Sequence, residues 1–582
     1  MSQSPPRRRL LAALGVAATS AALVASTVAT PAQARKPARP GNVKLQILAI
    51  NDFHGQLEPS TSSSSGTING IPAGGAEYLA THLRRLRMLA RSHGRHTVTV
   101  AAGDLIGATP LLSAAFHDEP TIMAMNRMGL QVASVGNHEF DEGWRELRRM
   151  QTGGCLPDGA GKDNQNSCPA GTFPGASFQY LAANVTRTDT GRTVFPAVEV
   201  KKYDGVKVGF IGMTLENTPN IVTRSGVEGL RFSDEVATAN RLAKRMDRNG
   251  VKAIVVLVHE GGFPSDPTAY NSCPGISGPI VDINRGLSPR IDAVITGHTH
   301  QAYNCRLKDP NDDRRLVTSG SSLGRLVTNI RLTLNRRTGD VIRRSETADN
   351  RIVTRNVARR PTVSSLIARF KTLVAPIENT VIGHLAAGTP SVSRTPDDSG
   401  ESPLGNLIAD AQKNDPSVVT GGRAPEIALM NPGGIRADLQ SNAGSVTYGQ
   451  AFSVQPFNNY DVSMDMTGTQ LLSLLEQQWS GTNAGSPRIL QVSGLTYSYS
   501  KAGTTYTLEP ESVEVNGTPL ERARTYRVVA NSFLSDGGDG FAAFTGATDK
   551  YFGGLDIDAF SRFLAANDPY TPVATDRITV TP

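Results

Sequence analysis

Five short segments of this 582-residue chain place Asp, Asn and His directly after apolar, strand-like runs. ILAINDFHG carries Asp52 and His54, TVAAGDLIG carries Asp104, and ASVGNHEFD carries Asn137, His138 and Asp141. VVLVHEGG adds His259, and VITGHTH adds His298 and His300. Imidazole, carboxylate and amide oxygen together suit divalent ions of the Zn, Mn and Co group. Two such ions held close can clamp both oxygens of an in-line phosphoryl displacement and supply hydroxide at neutral pH. One carboxylate must bridge them to offset their repulsion, and Asp104, alone in its segment, is the natural bridge. A lone Gly-Asp or His after a strand is more often a turn residue or a hydrogen-bonded core group. Five in this order, with Gly beside most of them, point to a metal centre.

The elements that must position these groups follow from the same pattern. Strand-like runs at Val43–Ile50, Thr97–Ala102, Val132–Val135, Val206–Gly212, Val251–Val258 and Ile291–Thr296 alternate with amphipathic helices, an α/β signature. In open α/β sheets ligands bind at the carboxyl ends of strands, so the five segments should converge in one crevice. Ala76, Leu79, Ala80, Leu83 and Leu86 form one apolar helical stripe and read as core. Residues 60–75 and 151–177 read as loop-like insertions without a catalytic role. Near residue 355 the pattern changes. Pro361 opens a helical stretch through Val374 that Pro376 should end. Helices at Glu401–Lys413 and Gln470–Gln478 and strands at Gly494–Ser500 and Tyr526–Ala530 follow. The expected layout is one α/β domain over 43–355, a connecting helix over 356–380, and a separate α+β domain over 381–582.

The formal charge of +7 is partly a property of the N-terminus. Residues 1–34 hold Arg7, Arg8, Arg9 and no acid, so the chain from Arg35 carries 7 − 3 = +4. With no long Lys/Arg run in the body, a nucleic-acid polymer is not an expected partner. Arg7–Arg9, an apolar stretch from Leu10 to about Val28, and Ala32-Gln33-Ala34 read as an export signal cleaved near Ala34. No later segment is apolar enough to span a bilayer, so a secreted protein is expected. Cys155, Cys168, Cys273 and Cys305 then favour two disulfides over a metal knuckle. Three pairings are open, the sequence-local one being Cys155–Cys168 with Cys273–Cys305.

The set Asp-x-His, Gly-Asp, Gly-Asn-His-Glu, His and Gly-His-x-His resembles the calcineurin-like metallophosphoesterase superfamily over about residues 43–335. That resemblance implies a metallophosphoesterase β-sandwich flanked by helices and two divalent metal ions (Zn, Mn, Co or similar). Asp52, His54, Asp104 and His300 would hold one; Asp104, Asn137, His259 and His298 would hold the other. Some 5′-nucleotidases place an amide where this chain has His300. His138 would face the phosphoryl group, stabilising its charge or protonating the leaving oxygen, with Asp141 orienting and charging the imidazole.

The second half resembles the 5′-nucleotidase C-terminal domain through MNPGGIRADL, NSFLSDGGDGF and SGESPLGNLIADA, covering roughly residues 380–560. The implied nucleotide site comprises Asn431, Gly434, phosphate-binding Arg436 and Arg394, a base clamp of Phe457 and Phe533, and Asp539 for the ribose hydroxyls. Taken singly, the two Phe side chains read as core and the glycines as a tight turn. In company, ring faces to stack on a base and an Arg fork beside a glycine pair suit a nucleotide. The expected function is a secreted 5′-nucleotidase in which metal-bound hydroxide attacks phosphorus while His138 assists the leaving ribose oxygen. The alternatives are a 2′,3′-cyclic-nucleotide phosphodiesterase or a UDP-sugar or dinucleotide pyrophosphatase on the same scaffold. More distant is a non-catalytic secreted nucleotide-binding protein.

Overall fold

The computed structural model describes residues 41–60, 65–156, 166–169 and 171–581. The expected export signal and parts of both insertions lie outside them. From Asn42 to Pro582 the chain forms one compact unit.

Strand β1 (Val43–Ile50) begins a six-stranded sheet in the order Thr347–Ile352, Leu326–Leu334, β1, His96–Ala102, Val132–Ser134, Gln179–Leu181. The second sheet runs Ala302–Lys308, Arg314–Gly320, Ala293–Thr296, Ala253–His259, Val206–Thr214, Val198–Tyr203. Four neighbouring strands of each sheet are parallel, which demands burial on both faces and explains their near-continuous apolar runs. Leu45, Ile47, Val98 and Val100 of one sheet pack with Val208, Phe210, Val255 and Leu257 of the other. Helices cover the outer faces. Helix α1 (Ala76–Ser92) lays Ala76, Leu79, Ala80 and Leu83 on the first sheet, as its stripe required.

The helix at Pro361–Glu378 runs through Pro376 rather than stopping before it. A proline this near the C-terminus removes only one helical hydrogen bond, and Asn379 N–H still reaches Ala375 O at 3.1 Å. Its Val363, Leu366, Phe370 and Val374 are buried in one continuous core with Leu79 and Phe116 before it and Leu407 and Phe452 after it. The following helix is Pro403–Lys413, whose N-cap Ser402 accepts from Gly405 N–H. Tyr448–Val454 and Gly468–Glu476 follow, each opened by a capping box, Thr447/Gln450 and Thr467/Gln470. A mixed five-stranded sheet carries this half, ordered Gln491–Ser493, Ile427–Met430, Thr525–Asn531, Tyr460–Thr467, Thr548–Leu555. The region of the first insertion forms a small hairpin, Thr67–Ile68 with Ile71–Pro72. The cysteines pair locally, Cys155–Cys168 and Cys273–Cys305.

Candidate active site

The loops after β1 and after His96–Ala102 are zipped together by their backbones. Asp52 N–H donates to Gly103 O at 3.1 Å and His54 N–H to Asp104 O at 3.0 Å. Asp52, His54, Asp104, His298 and His300 all adopt positive φ, between 46° and 70°. Left-handed backbone is uncommon outside glycine, and strain of this kind is retained where geometry serves a site. Neighbouring glycines allow the close approach: a Cβ on Gly136 would lie 2.2 Å from Asp104 Oδ1.

Two groups of side chains result. Asp52, His54 and His300 offer atoms within 4.8 Å of one another, and so do Asp104, His259 and His298. Asp104 Oδ2 reaches both groups, 2.9 Å from His259 Nε2 and 3.7 Å from His54 Nε2. Asn137 joins the second group, its Oδ1 3.1 Å from His298 Nδ1. The rings of His54 and His259 are aimed by carbonyls. Nδ1 of His54 lies 2.9 Å from Gly107 O, and that of His259 lies 2.8 Å from Ala102 O. A carbonyl only accepts, so Nδ1 carries the proton, and in the neutral ring that a metal requires Nε2 would present its lone pair to the centre.

The donor set fits divalent cations. Asp52 and Asp104 are almost fully buried, yet among the described residues neither forms an ion pair with lysine or arginine. His259 Nε2 is buried, with Asp104 Oδ2 beside it at 2.9 Å. His54 Nε2 and His300 Nε2 face each other at 3.1 Å. Burial drives the Asp52 carboxyl up to about 7, against the opposing charge of His259. Burial would also raise Asp104, but His259 and His138 beside it hold that carboxylate well below its usual range. His54 is driven down to about 3 by burial, the neutral state a ligand needs.

His138 stands apart from both groups. Its Nδ1 lies 2.8 Å from Asp141 Oδ2, so Nε2 is the nitrogen available to a substrate. Burial disfavours its charge, but Asp141 and Asp104 outweigh that and raise the pKa.

A cavity of about 170 Å³ joins the two halves of the molecule. Asn137, His138, Asp141 and His298 line one side; Asn431, Gly434, Arg436, Phe457, Phe533 and Asp539 line the other. Phe457 stacks near His138, with centroids 5.6 Å apart and planes at 20°, and the Arg436 guanidinium lies 5.7 Å from the Phe457 centroid. Gly538 lies beneath the Phe533 ring, where a Cβ would approach to 2.5 Å. The glycine run therefore both turns the chain and seats the ring. Asn431 Nδ2 donates to Asp539 Oδ2 at 2.8 Å. Arg394 is exposed and does not line the cavity. Its Nη1 donates to Ile435 O at 3.0 Å, and its charge helps lower the Arg436 pKa, after burial.

Several residues that shape the site were not among the candidates. Glu139 is buried and accepts from the backbone N–H groups of Asp104 at 2.9 Å and Leu105 at 2.8 Å, holding the Gly-Asp turn. It stood in the Gly-Asn-His-Glu motif, but nothing in the motif gave it this role. Asn459, Asn531, Arg488 and the Ile221–Thr223 loop also line the cavity. Arg488 pairs with Asp539 Oδ1. For the nucleotide substrate that the sequence leads one to expect, Arg488→Ala should raise KM for AMP about fivefold, the scale of one partly exposed ion pair, without changing hydrolysis of p-nitrophenyl phosphate. Steady-state kinetics on both substrates checks this. An unchanged KM for AMP would show that the pair does not hold Asp539 for substrate.

Residues 45–302 match the family model of calcineurin-like phosphoesterases, and residues 381–546 match that of the 5′-nucleotidase C-terminal domain. A cell wall protein of Listeria monocytogenes is 33% identical across 91% of this chain and 67% of its own length. The chain belongs to the 5′-nucleotidase family. A snake venom 5′-nucleotidase of Gloydius brevicauda is 26% identical, covering 92% of this chain and 89% of the venom protein. The solved 5′-nucleotidase precursor of Thermus thermophilus superposes with a TM-score of 0.72 at 25% identity, covering 92% and 99% of the two chains. The protein is thus a hydrolase of the metallophosphoesterase class with the expected two-domain α/β fold. Among the described residues no helix is long and apolar enough to cross a membrane.

Proposed function

We propose that the protein is an exported 5′-nucleotidase that removes the phosphate of extracellular nucleotides. The observation that carries this reading is the shared cavity, in which the buried His/Asp/Asn groups and the His138–Asp141 pair face two phenylalanines, an arginine and an acid. Export is supported by the two disulfides and by relatives that include a cell wall protein and a venom nucleotidase.

Asp52, His54, Asp104 and His300 would hold one divalent cation, and Asp104, Asn137, His259 and His298 the second. When bound, the cations would polarise the phosphoryl oxygens and make water a nucleophile at neutral pH. The chain's own groups do the rest. Arg436 binds the phosphate, Phe457 and Phe533 hold the base, and Asp539 takes the ribose hydroxyls. His138, oriented by Asp141, donates its Nε2 proton to the ribose 5′-oxygen as the P–O bond breaks, and regains a proton from solvent.

The test separates a base clamp from core packing. If each ring stacks on a base, Phe457→Ala and Phe533→Ala should each cost about 1–3 kcal/mol of nucleotide binding, or about 5- to 150-fold. The ratio of kcat/KM for AMP to that for p-nitrophenyl phosphate should fall accordingly at unchanged Tm. A core role predicts several kcal/mol of lost stability and equal losses on both substrates. A ratio unchanged in both variants would remove the nucleotide assignment and leave a general phosphoesterase. The same comparison with 2′,3′-cyclic AMP and UDP-glucose decides which ester is preferred.

A further inference from the structure

The catalytic crevice lies at the carboxyl end of His96–Ala102, where Asp104 follows the strand. At the strand's opposite end, about 20 Å away for seven residues, the surface has a different character. The last turns of α1 carry Arg84, Arg85, Arg91 and, just beyond the helix, Arg95; none forms an ion pair among the described residues. A concavity of about 320 Å³ opens here, lined by Arg87, Met88, Arg91, Arg95, His96 and Thr97. Arg87 donates only to neutral acceptors, Thr99 Oγ1 at 2.5 Å and Gly129 O at 3.1 Å. Arg95 Nη1 is buried without any hydrogen-bond partner. His96 is the lining residue with an acidic partner, Asp204 at 3.1 Å.

Three guanidinium groups around one concavity repel each other unless an anion sits among them. An oxyanion there would offset that repulsion. A second feature narrows the ligand. Met88 and Leu89 stand between the arginines and are 56% and 55% exposed. Apolar side chains flanked by arginines on one helix suit an interface in which phosphate headgroups meet acyl chains. A soluble polyanion would use the arginines and gain nothing from Met88 or Leu89.

We propose that the C-terminal end of α1 docks the protein onto an anionic lipid surface. Arg84, Arg91 and Arg95 engage headgroup phosphates, and Met88 and Leu89 enter the acyl boundary. The catalytic crevice, at the other end of the sheet, then faces away from the bilayer toward solution, where soluble nucleotides arrive.

The experiment is co-sedimentation of the chain from Arg35 onward, which retains the whole compact unit and lacks the apolar leader. The vesicles are phosphatidylcholine alone or phosphatidylcholine mixed with phosphatidylglycerol. The wild type should bind the mixed vesicles and not the neutral ones, with binding weakened by salt. At about fivefold per arginine, Arg84→Gln with Arg91→Gln should lower partitioning about 25-fold. Met88→Ser with Leu89→Ser should lower it about tenfold. Hydrolysis of p-nitrophenyl phosphate, unchanged in both double variants, excludes misfolding as the cause. Absence of binding to the mixed vesicles, or equal binding to both kinds, would overturn the proposal. So would binding that survives loss of Met88 and Leu89 but not loss of the arginines, which would leave a purely electrostatic contact with headgroups and no entry into the acyl boundary.

Discussion

Asp104→Asn should leave a folded protein that holds neither metal firmly and has lost nearly all turnover. Asp104 Oδ2 touches ligand candidates of both groups, and its Oδ1 accepts from His138 N–H at 3.0 Å. An amide keeps the shape but removes the negative charge that two cations would share. It also turns an N–H toward either a cation or His259 Nε2. The loss in rate should exceed the roughly 10²–10³-fold that follows removal of a single electrostatic stabiliser, because both cations are affected. The fold should persist, since the substitution also relieves repulsion between two buried carboxylates, Asp52 and Asp104. Elemental analysis of the purified variant, beside its turnover, is the direct check. A melting curve adds a second: a chelator should lower the Tm of the wild type and barely move that of the variant. Two metals per chain with normal activity would remove Asp104 from the centre.

His138→Ala should do the opposite with metal. The ring is absent from both ligand groups, and its Nδ1 is committed to Asp141. The variant should therefore keep full metal content and lose on the order of 10²- to 10³-fold in kcat on AMP, the scale of one general acid or oxyanion donor. The loss should be smaller on p-nitrophenyl phosphate, whose leaving group needs little protonation. Asp141→Asn should show the same substrate dependence at smaller amplitude, because the imidazole remains but is less well charged and oriented. A metal-free His138→Ala protein would make His138 a ligand. Equal losses on both substrates would leave it a charge stabiliser rather than the acid.

The ligand candidates were legible in the chain because each follows a parallel strand. Such strands are buried on both faces, so their apolar runs stand out, and the residue after the run is where the crevice must lie. The strands Ala302–Lys308, Arg314–Gly320 and Thr347–Ile352 were not read, since they intersperse Arg, Lys, Asp and Asn with apolar residues and resemble loops. The helix at Pro361–Glu378 was legible as a helix between two halves. That it is a shared core element, with Phe370 against Phe116 at 5.0 Å, depended on partners more than two hundred residues away.

The cavity shows the same division. The resemblance of the chain's motifs to known families singled out His138, Asp141, Arg436, Phe457, Phe533 and Asp539. It could not show that Phe457 lies against His138 or that Arg394 stands outside the cavity. Nor could it show that Arg488 pairs with Asp539. Arg488 lies in a stretch, SPRIL, with no periodicity or glycine signature, and its meaning comes only from an acid fifty-one residues on. The basic end of α1 illustrates the remaining case. Its arginines were visible in the sequence and explicable as a solvated helix face. Their lack of acidic partners and the concavity they share are properties of the packed surface. Local chemistry and burial period are written in neighbouring residues and survive in one dimension. Pairing, exposure and convergence depend on which distant segments the core brings together, and those only the tertiary structure decides.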